Sequence, residues 1–555
     1  VDKNSNYGFL FETFIFVGGI KHNQQKVNRL MKFSELTAEQ IFEISEIYWN
    51  RKASWDERMK QLSQYLGKSE RTVQSWISKL GITEKSIQES PQLIKAKERK
   101  FDKKKKRFII TWAQNDTPVH DVFFSNLEEY ANFIGADIHV IAGRYKNPTS
   151  VFSDKKYDTW APRIEPFLDA NRHEVHKHMW IMSDVKIQPT AVDPMTGLQG
   201  MSGVNSCVFG SPKVHMETIP VLEGNLPKMM MTTGACTVKN YTDSKSGKKG
   251  EFHHTLGFVV VEIKDSKIFF ARQVTATDDG DFHDLYHSVK YNPDSNISEV
   301  TRITKIPAAI LGDLHYGQHD PEVIKKTLEL FSNLEPENVV LHDVFDGLSI
   351  NHHESNDPFI QYHREMDGTN SLRKEIDAML IGLEDFEKYN VTIVRSNHDD
   401  FLDRWLKNTD WRKASTLKNS IEYMEFSALL LKGEAPKGII PHLINKRFPT
   451  FKTLDRSDSF VINGWELGQH GDIGSNGSRG SLLQFRKLNT KIVVGHYHSP
   501  GRKDGALAVG TSTKLRVNYN LGPSGWLQSH VIVHADGKAQ HINFIKGEFT
   551  TIKLK

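Results

Sequence analysis

Five short clusters of aspartate, asparagine and histidine carry the chemistry legible in this chain. They are Gly312-Asp-Leu-His315, His342-Asp-Val-Phe-Asp-Gly347, Ser396-Asn-His-Asp399, Gly468-Gln-His-Gly471 and Gly495-His-Tyr-His498. Carboxylate and amide oxygens combined with imidazole nitrogens, and no thiolate, suit Mn2+, Fe2+ or Zn2+ and disfavour Ca2+. One D-x-H or N-H-D alone means little, because such a motif counts only in its structural setting. The chain contains its own decoy. Asp281-Phe-His283 repeats the spacing of Asp313-Leu-His315, but it follows the polar run Thr275-Ala-Thr-Asp-Asp-Gly280 and is expected in a surface loop.

The five clusters differ from the decoy in what precedes them. Ala308-Ala-Ile-Leu311, Val339-Val-Leu341, Val391-Thr-Ile-Val394, Trp465-Glu-Leu467 and Ile492-Val-Val494 read as short buried strands. Each polar cluster follows the carboxyl end of one of them, the edge of an α/β sheet where active sites collect. Asp320-Pro321 supplies an N-cap and a first-position proline, so a helix is expected to start there.

The ordered set D-x-H, D-x-x-D, N-H-D, H-G and G-H-x-H resembles the calcineurin-like metallophosphoesterase superfamily, over about 250 of the 555 residues. The resemblance implies a β-sandwich flanked by helices and two metal ions. One ion would be held by Asp313, His315 and His498, the other by Asn397, His470 and His496, with Asp343 bridging both. His398 would be the catalytic histidine, and Mn2+ the first choice of metal, with Fe2+ or Zn2+ as alternatives. Two positions depart from the family pattern: His342 and Ser396 stand where glycine usually precedes Asp343 and Asn397. Physical logic supports the same arrangement. Two divalent ions ~3.5–4 Å apart can clamp a phosphoryl group and bring a water's pKa toward neutrality. A carboxylate bridge gives each ion an oxygen, and a histidine can protonate the leaving alkoxide.

A chain of 555 residues should hold several domains. We read residues 1–92 as a helical unit, 93–107 as a basic linker, 108–300 as a middle α/β domain and 301–555 as the phosphoesterase. Hydrophobic content of 38% and charged content of 25% fit a globular chain. Two cysteines, Cys207 and Cys236, cannot build a disulfide framework, and a reducing, cytosol-like compartment is the natural reading. The net charge of +4 names no partner, whereas 25 histidines, most in the second half, stand out. The chain starts at Val1, with Met31 as an alternative start. The apolar run Gly8 to Ile20 carries Glu12, is too short to span a bilayer, and lacks the basic flank of a signal. No membrane association is expected.

Thr37-Ala-Glu-Gln40 has the form of a capping box, and Ile41, Ile44 and Ile47 follow at helical spacing. Two more helices are predicted, Trp55 to Tyr65 and Ser69 to Leu80, broken at Gly67-Lys68 and closed by Gly81. Leu62, Leu66, Val73, Trp76 and Ile77 would form their shared core. This resembles a helix-turn-helix whose second helix offers Arg71, Gln74, Ser75, Ser78 and Lys79 to a major groove. An ordinary three-helix assembly bundle is the competing reading. Lys95 to Arg107 holds nine Lys/Arg against Glu98 and Asp102. Such a run either neutralises nucleic-acid phosphates or is a solvated hinge. In the middle region, Arg107-Phe-Ile-Ile-Thr-Trp112, Asn126 to Ile134 and Asp137-Ile-His-Val-Ile-Ala142 read as a βαβ start, and Trp180-Ile-Met182 and Leu256 to Glu262 as further strands. No phosphate loop, catalytic set or internal repeat is visible there.

The helix-turn-helix-like unit, the basic linker and the motif spacing are similar to SbcD-type DNA repair nucleases, although the N-terminal helices lie outside that plan. The overall resemblance extends to early host-DNA-degrading nucleases of virulent tailed phages, which would place the chain in the host cytoplasm. A DNA nuclease acting on phosphodiester bonds, working as a homo-oligomer of at least two chains, is therefore expected. A metallophosphatase acting on a protein or small phosphomonoester is the alternative. A metal-bearing non-catalytic scaffold is a third reading, which the complete ligand set and His398 oppose.

Overall fold

The structure, a computed structural model, describes residues 53–79, 104–146, 159–412, 414–518 and 520–552, with scattered positions between Phe33 and Tyr48. The apolar run Gly8 to Ile20, Met31, Ile41, Gly81 and the linker before Lys104 lie outside the described residues. The chain falls into two compact units, Val1–Leu93 and Ile94–Lys555.

The first unit is helical. Thr37 and Gln40 exchange backbone-to-side-chain bonds of 3.0 and 3.3 Å, the reciprocal pattern of a capping box. Helix α1 (Trp55–Leu66) starts at a second box made by Ser54 and Glu57. It stops at Gly67, whose left-handed φ of 61° suits a residue without Cβ. Helix α2 (Glu70–Lys79) follows. Leu62, Leu66, Val73, Trp76 and Ile77 are buried together with Ile44, Tyr48 and Met59, so the expected core is present. Arg71, Gln74, Ser75, Ser78 and Lys79 all lie exposed on α2.

The second unit is mixed α/β with several sheets. Strand β1 (Arg107–Gln114), helix α3 (Asp121–Ile134) and strand β2 (Asp137–Gly143) open it as a parallel βαβ unit. The helix begins five residues before the expected Asn126, because the His120 ring accepts the Phe123 N–H and caps it. Strands β3 (Leu168–Asp169), β4 (Arg172–His176), β5 (Met179–Met182), β6 (Ser206–Phe209), β7 (His215–Ile219), β8 (Lys228–Thr232), β9 (Gly257–Ile263) and β10 (Phe269–Thr275) follow. A three-stranded sheet comes next: β11 (Phe282–Asp284), β12 (His287–Asn292) and β13 (Ile297–Arg302). This corrects the reading of Asp281-Phe-His283 as a surface loop. Phe282 and Asp284 are fully buried in β11, and the Asp284 carboxylate pairs with Arg272 at 2.6 and 2.7 Å. The strand is hard to see in the sequence because its single inward-facing apolar group, Phe282, stands between Asp281 and His283.

From Ala308 the chain builds the element set that carries the five clusters. Strand β14 (Ala308–Ile310) leads to helix α4 (Pro321–Leu334), capped by Asp320 with Pro321 at its first position as expected. Strands β15 (Val339–His342), β16 (Val391–Val394), β17 (Lys452–Thr453), β18 (Val461–Ile462), β19 (Trp465–Glu466), β20 (Lys491–Val494), β21 (Gly501–Lys503), β22 (Ala506–Ala508), β23 (Ser529–Val533) and β24 (Ala539–Asn543) complete it. They form a sheet in the order β17-β16-β15-β14-β23-β24. This sheet packs on the β18-β19-β20-β22-β21 end of a ten-stranded sheet through Ile310, Val340, Leu467, Val493, Leu507 and Val531 among others. The ten-stranded sheet continues as β7-β8-β6-β5-β4, against which the β10-β9-β1-β2-β3 sheet packs.

Candidate metal centre

The five polar clusters leave the carboxyl ends of β14, β15, β16, β19 and β20 and converge. Asp313, His315 and Asp343 are fully buried, and His470 and His498 nearly so. His315 Nε2 stands 3.4 Å from Asp343 Oδ2 and 3.1 Å from His498 Nε2, while His498 Nε2 stands 3.1 Å from Asp313 Oδ2. On the other side, His470 Nε2 lies 3.1 Å from Asp343 Oδ2 and 3.1 Å from Asn397 Oδ1, and His496 Nδ1 lies 3.1 Å from that same amide oxygen. Asp343 therefore touches both groups. All seven residues expected as ligands meet at one place.

These spacings are informative. Ligand atoms held about 2.1 Å from one ion lie about 3.0 Å apart at right angles and about 3.4 Å apart at the tetrahedral angle. Donor atoms of Asp313, His315, Asp343 and His498 all fall within 4.8 Å of one another, as a shared ion requires. The charge balance points the same way. All four oxygens of Asp313 and Asp343 are buried, and only histidine nitrogens at 3.1–3.4 Å reach them. A buried carboxylate in that condition costs several kcal/mol unless a cation compensates it. The residues thus fit a divalent metal ion.

The backbone is bent to bring these groups in. His315, Asp343, His496 and His498 all have positive φ, at 43°, 46°, 74° and 54°. Non-glycine residues occupy this region at a cost of order 1–3 kcal/mol each, and such strain gathers at functional sites. Gly495 instead leaves room for a ligand, since a Cβ there would lie 2.4 Å from Asp313 Oδ1. Asp313 itself is fixed by its backbone, donating to the Gly510 carbonyl and accepting from Ser512 N and Thr511 Oγ1.

Electrostatics follow from this packing. Burial lowers the pKa of His315 and His470, but the surrounding carboxylates together outweigh it, Asp343 with Asp346 and Asp313 for His315 and Asp343 with Asp313 and Asp472 for His470, and hold each at about 9. Burial would raise Asp343, yet the surrounding His470, His398 and His315 keep its carboxyl well below the usual range. An ion bound here would therefore compete with protons for the same nitrogens.

Three neighbours position the ligands, and sequence alone does not assign them these roles. Asp346 Oδ1 sits 3.2 Å from His315 Nδ1, fixing the ring that turns Nε2 inward. His342 Nδ1 lies 3.4 Å from His470 Nδ1, and burial pushes His342 down to about 4, so it stays neutral beside its partner. Ser396 Oγ accepts from Asp399 N while Asp399 Oδ2 accepts from Ser396 N. His342 and Ser396, which stand where the resemblance would put glycines, thus support a candidate ligand and a turn. Only their position in space reveals this; the D-x-x-D spacing is the one sequence signal for Asp346.

His398 precedes the helix Asp399–Asn408 and does not join the ligand groups around Asn397. Its Nδ1 lies 2.6 Å from the Asp346 carbonyl oxygen, to which it donates in the tautomer this contact requires. Its ring lies tilted against Phe401 and meets His315 edge-on, each at 4.5 Å between centroids. His315, Asp346 and His398 are also close enough to hold an ion among themselves, and the carbonyl contact engages His398 Nδ1. Burial lowers the His398 pKa, partly offset by Asp343. Cys207 and Cys236 are free and buried, and among the described residues no helix is long and apolar enough to cross a membrane.

The chain is 30% identical over 476 aligned residues to Protein A1 of Escherichia phage T5, a match that covers 80% of the chain and 83% of that protein. No protein-family model and no solved structure matches it.

Proposed function

The chain belongs to the family of phage T5 Protein A1, which supports a phage origin, and from the convergence on Asp343 we propose that it is a two-metal DNA nuclease. The observation that carries this reading is the joining of two donor groups through one carboxylate: Asp343 Oδ2 lies 3.4 Å from His315 and 3.1 Å from His470. Asp313, His315 and His498 would hold one ion, Asn397, His470 and His496 the other, in the sandwich arrangement of the calcineurin-like metallophosphoesterases. Two ions so placed, Mn2+ first among them, would clamp the scissile phosphodiester and lower the pKa of water.

The chain's own groups do the rest. Asp346 and His342 hold the His315 and His470 rings in line. His398, anchored through Nδ1, keeps Nε2 available to donate a proton to the leaving alkoxide when the ring is in its cationic form. The exposed Arg71, Gln74, Ser75 and Lys79 of α2 would add contacts to DNA. A homo-oligomer working on host DNA in the host cytoplasm completes the proposal. Exposed Phe359, Tyr362 and Met366 on the helix Pro358–Asp367, and Ile421 and Met424 on the helix Ser420–Leu431, supply apolar surface for such an assembly.

The test is one assay panel of duplex DNA, bis-p-nitrophenyl phosphate and p-nitrophenyl phosphate, each with Mn2+ and with EDTA. Cleavage of DNA and diester with Mn2+ only is expected. Hydrolysis of the monoester alone would replace the nuclease by the phosphatase reading, and no hydrolysis of any substrate would reject both.

A further inference from the structure

The ten-stranded sheet reads the same from either edge. From one edge the order is β18-β19-β20-β22-β21, and from the other β4-β5-β6-β8-β7. Both series follow the same chain order. Their pairing senses agree step by step: antiparallel for β18/β19 and β4/β5, parallel for β19/β20 and β5/β6, parallel for β20/β22 and β6/β8, antiparallel for β21/β22 and β7/β8. The facing sheets correspond as well, as β24-β23-β14-β15-β16 and β10-β9-β1-β2-β3. In both, a helix, α4 or α3, joins the first two parallel strands.

From this correspondence we infer that residues 107–275 are a second copy of the fold formed by residues 308–543, and that this second copy has lost its metal centre. Registers support the match at single residues. Asp313 bridges Thr511 in parallel and His319 bridges Thr513 antiparallel; Trp112 bridges Ala235 and Val119 bridges Thr237 in the same senses. Ser512 N donates to the Asp313 carbonyl at 2.8 Å, and Cys236 N to the Trp112 carbonyl at 2.8 Å. Asp320 N donates to Ser512 O, and His120 N to Cys236 O, at the N-caps of α4 and α3. Phe209 pairs with Thr232 as Val494 pairs with Ala508, which aligns Gly210 with Gly495 and Gly234 with Gly510. A Cβ on Gly210 would strike the Trp112 ring at 2.6 Å, as one on Gly495 would strike Asp313 at 2.4 Å.

Four of the seven proposed ligand positions carry other side chains. Trp112 stands where Asp313 does. Ile141, opposite Trp112 in register, stands where Asp343 does when the Ile310–Val340 register is extended by three residues. Ser211 and Lys213 follow Gly210 as His496 and His498 follow Gly495. An indole, an aliphatic chain, a hydroxyl and an ammonium do not make a divalent-metal donor set.

The copies meet through equivalent strands. Arg502 on β21 faces Met216 on β7. Each in turn faces an equivalent residue, Leu507 or Met231. A residue opposite its own counterpart on an antiparallel strand marks a local two-fold axis, the isologous contact of a symmetric dimer, here within one chain. The second copy's role is to cover the β21 edge, which would otherwise be open to pairing.

The loss of the centre rests on the two-metal reading, whereas the duplication does not. Diffraction from Mn2+-loaded crystals of the full chain, with anomalous data, tests both. Expected are Mn2+ peaks beside Asp343, none among Trp112, Ile141, Ser211 and Lys213, and a superposition by a near-two-fold rotation that sets Trp112 on Asp313. A peak in the second copy, or a superposition that places another residue on Asp313, overturns the inference. Absence of Mn2+ everywhere would instead remove the proposed function, and the superposition would still decide the duplication.

Discussion

At the scale of single residues, Asp343 and His398 divide two roles that proximity alone would merge. Asp343 is the one carboxylate touching both donor groups, so Asp343→Ala should loosen both ions together, whereas Asp313→Ala should weaken mainly one. Metal analysis after desalting from Mn2+ reads the difference, and full metal content with normal turnover in Asp343→Ala would reject the bridge. His398 is anchored by the Asp346 carbonyl and keeps clear of the Asn397 group. General acid help is worth ~10²–10⁴-fold, so His398→Ala should lose about that much in single-turnover cleavage while metal content and DNA binding stay at wild-type values. Loss of an ion in this variant would make His398 a ligand, and near-normal cleavage would make it a bystander.

At the scale of elements, the loops are held by groups remote in sequence. Glu375, on the helix Leu372–Leu383, accepts from Ser349 N at 3.1 and 3.2 Å and so fixes the turn that follows the Asp343 loop. Burial pushes this carboxyl up to about 7. In the unfolded chain it ionises near ~4.3, so the folded state holds the proton longer. The stability it contributes is full below about pH 4 and is lost as pH rises toward 7. Glu375→Gln keeps an acceptor without the charge. Relative to wild type it should gain about 2 kcal/mol between pH 5 and pH 8, after allowance for partial exposure. Melting curves at the two pH values check this, and an unchanged difference would mean the carboxyl ionises freely. Much of this level is legible in the sequence. The strands before the five clusters are short apolar runs closed by polar residues, and Asp320-Pro321 announces its helix. The start of α3 is not legible, because a histidine ring, not a short polar side chain, caps it. Strand β11 is hidden because one inward phenylalanine leaves no alternation to see. The repeat is hidden for a different reason: burial and two pairs of glycines preserve a fold while the side chains that announce its chemistry are exchanged, Asp313 for Trp112 and His498 for Lys213.

At the scale of the whole molecule, the helical unit and the α/β unit carry separable duties under the proposed function. Deleting residues 1–90 should leave hydrolysis of bis-p-nitrophenyl phosphate nearly intact. Affinity for DNA should fall, and its dependence on log[salt] should become shallower as phosphate contacts are lost. An unchanged slope would make the helical unit an assembly module. The α/β unit is not divisible in the same way. Strands β7 and β21 pair in the middle of one sheet, and Gln540 on β24 donates to Asp284 at 2.9 Å, beside the Arg272 pairing that reaches β10. Breaking the chain near Ile303 would bare the β21 backbone and strip Asp284 of surroundings it shares with β24. A fragment of residues 303–555 should therefore collect in aggregates, although it contains every proposed ligand, and soluble, active fragment would refute this. The same seam sets how the molecule comes apart. In calorimetry the two halves of the α/β unit should melt in one transition, with no temperature at which one is folded and the other is not. A substitution deep in the half without metal ligands, such as one at Met216, would then lower the temperature at which the ligand-bearing half fails, by eroding a cooperativity the two halves hold in common.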